Sequence, residues 1–69
     1  MERVAISSSH IRSVGFDHAT LTLEVQFTNG RVYQYLDVPE SVHRGLLSAR
    51  SAGRYFADRI RDAYRFVRL

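Results

Sequence analysis

The sequence predicts an α+β domain in which a three-stranded antiparallel β-meander is followed by two α-helices packed on one face of the sheet. Three observations carry that prediction. Leu21, Leu23, Val25 and Phe27 alternate strictly with Thr22, Glu24 and Gln26, the period-two pattern of a strand with one buried and one wet face. Asn29-Gly30, two residues that tolerate positive φ, separates that run from Val32-Tyr33-Gln34-Tyr35 and marks a hairpin turn. Beyond Val38-Pro39 the apolar spacing changes from two to three and four, the period of a helix face.

At the start of the chain, Val4-Ala5-Ile6 leads into Ser7-Ser8-Ser9, a polar break whose hydroxyls can bond the backbone and begin a turn. The first predicted strand covers residues 9–16, with Val14 and Phe16 on one face and Gly15 permitting a close approach; Asp17-His18-Ala19 makes the reversal. The second strand covers 20–28 and the third 31–37. Loop length between them decides where the tyrosines point. A two-residue Asn29-Gly30 loop pairs Val25 with Gln34 and sends that amide into the core. A three-residue loop, Thr28-Asn29-Gly30 with Gly30 as a bulge, pairs Val25 with Tyr33 and Leu23 with Tyr35, and turns Gln34 outward. Burying an amide without partners costs about 1–3 kcal/mol, more than leaving Val32 and Leu36 partly exposed, so the bulged loop is favoured.

Pro39 ends the sheet and suits a helix start. The first helix covers 40–48, with Glu40 in its first turn and Val42, Leu46 and Ala49 on one face; Gly45 weakens it, so packing must help. Ser51 is a natural N-cap for the second helix, in which Ala52, Phe56, Ile60 and Ala63 keep core spacing. Tyr64 to Leu69 reads equally as a continuation of that helix or as extended chain.

A chain of 69 residues supports one small core, and a deep catalytic pocket is not expected of it. There is no Cys, no long apolar run and no secretory leader pattern, so a cytoplasmic protein without disulfide or thiolate chemistry is expected. The charge is unevenly placed. Three Arg face five carboxylates up to His43, whereas seven Arg face two Asp from Arg44 onward. All ten basic residues are Arg and none is Lys, which suits bidentate phosphate contacts and base stacking; codon usage in a GC-rich genome gives the same bias.

Three candidate features follow. Tyr33 and Tyr35 are either core residues or platforms on which bases stack. Arg50 and Arg54 flank Ser51 and Gly53 at the start of the second helix, where unpaired N–H groups and a glycine could cradle a phosphate; alternatively Ser51 only caps and Gly53 only packs. On one continuous helix Arg50, Arg54, Arg61, Arg65 and Arg68 would fall within an arc of about 60°, although Asp58 and Asp62 are placed to pair with them. His10, His18 and His43 show no ligand spacing, and nothing predicts an exposed nucleophile, so no metal, no cofactor and no catalysis are expected.

Taken in order, Ser7-Ser8-Ser9, Gly15-Phe16-Asp17, Leu23-x-Val25-x-Phe27, Gly30, Tyr33-x-Tyr35, Val38-Pro39 and Ser51-x-Gly53-x-Tyr55-Phe56 with Ile60-Arg61 and Tyr64 resemble the KTSC domain over nearly the whole chain, 1–69. That module occurs at the C-terminus of some lysyl-tRNA synthetases and as free-standing bacterial proteins. Phe16 stands where a Tyr is common and His10 where an Asn is common. The resemblance implies turn formers near Tyr64, which ends the second helix near Asp62, and its association with synthetases implies RNA or tRNA as a partner. The expected function is therefore a small, non-catalytic RNA-binding module in which Arg50, Ser51, Gly53, Arg54, Arg61 and Arg65, with Tyr33 and Tyr35, form the site, and four or five arginines hold phosphates. The alternative is a protein-interaction module that uses Val32, Leu36 and an open strand edge.

Overall fold

A computed structural model describes residues 1–69. Seven elements follow one another: β1 (Arg3–Ala5), β2 (Ile11–Asp17), β3 (Thr22–Phe27), β4 (Val32–Tyr35), α1 (Glu40–Ser48), α2 (Ala52–Arg59) and β5 (Phe66–Arg68). The sheet is antiparallel throughout, in the order β1-β2-β3-β4-β5. The predicted meander is its centre, and the α+β class holds. Two strands were missed, one at each edge. Both are three residues long with all residues exposed, too short for any period to emerge.

The central register agrees with the bulged-loop reading. Val25 pairs with Tyr33, Leu23 with Tyr35 and Glu24 with Gln34. The Phe27 N–H bonds to the Arg31 carbonyl at 2.9 Å across a Thr28-Asn29-Gly30 loop, with Gly30 at φ 91°. Gln34 turns away from the core, but not into open solvent: its Nε2 donates to Glu24 Oε1 at 2.9 Å. Glu24 is buried and also meets Arg3 Nη1 at 3.5 Å. The outer face, expected to be wet, is thus partly covered because β1 brings the chain's first residues against it. Gly15 is the point of closest approach, since a Cβ there would lie 2.6 Å from the Glu2 carbonyl oxygen.

Before β2, Ser8 Oγ accepts from the N–H groups of His10 and Ile11 at 3.2 and 3.3 Å, the hydroxyl-built turn that the serine run suggests. After β2, Asp17 Oδ1 accepts from Ala19 N–H at 2.9 Å. Leu21 was expected as the first inward residue of the second strand. It instead closes this turn at φ 56° and is 40% exposed, with its carbonyl accepting from Val38 N–H at 2.9 Å. The strand therefore begins at Thr22.

The first helix matches its predicted span, and Gly45 has a packing reason: Tyr55 of α2 lies against it, where a Cβ would collide with the phenol. Ser51 caps α2 by accepting from Arg54 N–H at 3.2 Å. That helix ends at Arg59, short of the predicted Asp62. Ile60, fully buried, takes a non-helical conformation, and Ala63 is exposed rather than in the core. The chain then turns back and adds β5 beside β4. The core forms where both helices cover β2–β4: Ile11, Val14, Leu23, Val25, Tyr35 and Val38 meet Leu46, Ala52, Phe56 and Ile60. Phe56 is its hub, edge-on to Phe27 at 5.3 Å and to Tyr35 at 5.4 Å.

Candidate nucleic-acid interface

Between α2 and the β4–β5 end of the sheet lies an open cleft of about 840 Å³. Its existence follows from the sequence of reversals just described. After Ile60 anchors in the core, the chain leaves α2 and returns as β5, so Phe66 stands across from the helix while Tyr33 and Tyr35 form the floor between them. Tyr35 is buried and Tyr33 half-buried. The two rings are roughly parallel at 6.4 Å, and Phe66 leans on both, 5.4 Å from Tyr33 and 5.6 Å from Tyr35, yet leaves 53% of its surface exposed. Burial, and then the neighbouring phenol of Tyr33, pushes the Tyr35 hydroxyl above its ordinary pKa, so it stays protonated.

The cleft brings together six of the eight residues singled out from the sequence: Ser51, Gly53, Arg54, Arg61, Tyr33 and Tyr35. Arg50 is exposed but does not line it, and Arg65 lies outside it, its carbonyl accepting from Leu36 N–H at 2.8 Å. The single arginine stripe does not form, because Arg65 and Arg68 leave with the reversed chain rather than continuing α2. Gly53 is not open to a ligand over its whole face. A Cβ there would sit 3.3 Å from the His10 ring and 3.6 Å from Ser8 Oγ, so the glycine lets the turn before β2 pack on the helix.

Two further lining residues escaped the sequence reading. Arg31, at the hairpin tip, is brought to the rim by the turn, and Phe66 by β5. Arg31 follows directly on the Asn29-Gly30 turn, whereas Phe66 has no local signal, since it arrives by pairing across the sheet. Arg68 pairs with Tyr33 and so shares its face of the sheet. Other arginines are engaged elsewhere: Arg44 meets Glu40 at 3.5 Å, and Arg59 lies over the Tyr55 ring at 6.0 Å. The contacts of Arg54 with Asp58 and of Arg61 with Asp62 are both 3.9 Å long and well exposed. Pairs of that kind hold a guanidinium by no more than about 1 kcal/mol, so both remain available to an anion.

Away from the cleft, the fold gathers histidines that the sequence spacing did not connect. His43 of α1 stacks on Phe16 at 4.7 Å, and His18 Nδ1 lies 2.7 Å from Glu40 Oε2. The His43 Nδ1 is buried without a hydrogen-bond partner, and burial, then the nearby His18, holds its pKa below the ordinary value. No helix of the chain is long and apolar enough to cross a membrane.

Comparison with known proteins places this geometry in a family. Residues 7–64 match the model of the KTSC domain. The crystal structure of a KTSC domain protein from Yersinia pestis superposes with a TM-score of 0.93 at 40% identity, covering 99% of this chain and 96% of that one. An uncharacterised protein of Stutzerimonas stutzeri is 48% identical over 56 residues, 81% of this chain and 79% of its own length. A lysine–tRNA ligase of Nostoc punctiforme is 36% identical over 61 residues, which make up 88% of this chain but only 11% of that protein. With a whole-length structural match and the ordered motifs in register, the chain belongs to the KTSC domain family.

Proposed function

We propose that the protein is a non-catalytic module that binds RNA along the cleft, its arginines holding phosphates and its rings meeting bases. The observation that carries this reading is the pairing of an aromatic floor, Tyr33, Tyr35 and Phe66, with a guanidinium rim, Arg31, Arg54 and Arg61, in one open groove. Grooves that bind single-stranded nucleic acid combine these two elements, because every base has a π-face and every nucleotide a phosphate. The similarity to a segment of a lysine–tRNA ligase makes tRNA the natural first ligand to try. The test is fluorescence anisotropy of labelled tRNA and of a labelled single-stranded RNA at about 50 mM salt. Saturable binding that weakens in Arg54→Ala and Arg61→Ala is the expected result. No binding at that salt, or binding indifferent to both substitutions, would overturn the reading.

A second reading, docking of a protein partner, draws on β5. This strand covers the β4 edge that the alternative had left open, and presents a new edge on which Val67 and Leu69 are 47% and 65% exposed. Val32 and Leu36 are half-buried rather than free. A change of oligomeric state or of partner capture on Val67→Glu, with RNA binding absent from the native protein, would favour this reading over the first.

A further inference from the structure

The cleft is more than a charged track. We propose that it receives one unpaired nucleobase, stacked on the exposed ring of Phe66 over the Tyr33 floor, with the adjoining phosphate held by Arg31 and Arg54. This deepens the RNA-binding reading and rests on it. A basic surface that only follows a backbone needs no depth, and a duplex presents no free base face. Here a volume of about 840 Å³ lies within the range of small-ligand sites, about 300–1,000 Å³. Tyr35 and Phe56 are among its most buried lining residues. Phe66 is the decisive residue, because it touches both tyrosines yet keeps half its surface in water, an arrangement that leaves a ring face unused in the free protein.

Charge gives the site a direction. Arg61 and Asp62 stand together at the end of the cleft where α2 has ended. Arg54 and Arg61 each have an Asp at 3.9 Å, whereas Arg31, at the hairpin tip, is in no ion pair. A phosphate is therefore drawn to the hairpin end, where Arg31 stands and Arg54 lies in the first turn of α2, which leaves the Phe66 side, opposite Tyr35, for the base. Asp62, whose carboxylate accepts hydrogen bonds, stands on that side, within reach of a base's N–H donors.

The protein has no Trp and four Tyr, two of which form this floor, so stacking there should appear as partial quenching of its tyrosine fluorescence. Native protein, Phe66→Ala and Phe66→Leu are titrated with a short single-stranded adenine RNA, a duplex RNA of equal length, and polyphosphate of equal charge. The expected result is tighter binding of the single strand than of the other two, with quenching. Affinity should fall about five-fold or more in Phe66→Ala, the lower end of what losing one base–aromatic stack costs, and stay low in Phe66→Leu, which keeps apolar bulk but no ring. Polyphosphate or duplex binding as tightly as the single strand, or Phe66→Ala within two-fold of native, would overturn base insertion while leaving backbone binding intact. Failure of all three ligands to bind overturns it together with the RNA reading.

Discussion

Replacing Arg54 tests whether phosphate contacts are made at the cleft rather than over the whole basic surface. Four guanidiniums belong to its side of the molecule: Arg31, Arg54 and Arg61 line it, and Arg68 shares the face of Tyr33. Each phosphate neutralised on a single strand contributes about −0.7 to the slope of log affinity against log salt, so four predict a slope of about −2.8. Raising salt from about 50 to about 200 mM should then weaken binding about 50-fold. In Arg54→Ala three remain, the slope becomes about −2.1 and the same salt step costs about 20-fold. Arg54 is well exposed and only loosely paired with Asp58, so its removal barely changes stability and the altered slope cannot come from unfolding. Arg59→Ala is the matched control: it removes the same charge from the same helix, but at a guanidinium that lies over Tyr55 outside the cleft. Anisotropy titrations of one labelled single-stranded RNA at several salt concentrations measure all three slopes. A native slope shallower than about −1, or equal slopes for Arg54→Ala and Arg59→Ala, would refute the assignment of phosphates to this groove.

Four further substitutions, one of them read through a pH titration, test the scaffold. Gly15→Ala places a methyl against the Glu2 backbone and must push β1 from the sheet, so urea unfolding should show a loss of about 1–3 kcal/mol. Gly30→Ala meets no atom within 4 Å, and its cost, about 1–2 kcal/mol, should come only from the left-handed φ of 91°. Phe56→Ala removes the hub on which Phe27 and Tyr35 rest; a loss of about 3–5 kcal/mol is most of what a domain of this length has, so circular dichroism should show it largely unfolded near 37 °C. His43 is held below its ordinary pKa, so on acidification the unfolded chain takes up a proton at that site before the folded protein does. Its contribution to stability is therefore full above about pH 6.5 and is lost as the pH falls below that value. His43 faces His18, Glu40 and Arg44, and His43→Gln should flatten the melting-temperature profile between about pH 7 and 5.5 if this residue is the cause.

What could be read from the sequence was what local chemistry over-determines. The β3–β4 register was legible because one alternative buried the Gln34 amide and the other did not. The span of α1 was legible because Pro39 fixes its start, and the start of α2 because Ser51 caps it. The end of α2 was not, since Ala63 kept the apolar spacing while Ile60, three residues earlier, was the last fully buried side chain. Leu21 misled for a similar reason: its hydrophobicity fits the alternation, but the tight reversal after Asp17 needs its backbone more than the core needs its side chain. At the candidate site, Tyr33, Tyr35, Arg54 and Arg61 could be named from motif and charge. Arg31 lay beside the legible Asn29-Gly30 turn but outside the basic last third, and Phe66 could not be named, because it reaches the cleft only through a strand pairing that leaves no mark on its own neighbours.

The missed strand β5 is also what makes the tyrosines a surface feature. Without it, the register that turns Tyr33 and Tyr35 toward the helices makes them simply core, as the amide argument implies. With it, α2 must end early so that the chain can return, and the gap between helix and returning strand leaves Tyr33 half-buried at the base of an open groove. The outer wall of that groove is a three-residue edge strand, exposed throughout and tied to β4 at its ends by Leu36 N–H to the Arg65 carbonyl and Leu69 N–H to the Val32 carbonyl. An element with so little buried surface sits at the low end of local stability in any fold. A ligand stacked on Phe66 would add contacts to that strand and none to the unfolded chain, so hydrogen exchange at the Val67 and Leu69 amides should slow on binding together with the β2–β3 ladder, which exchanges through global unfolding. A β2–β3 ladder that slows while Val67 and Leu69 exchange as before would instead mean that β5 opens without releasing the ligand and is not its wall.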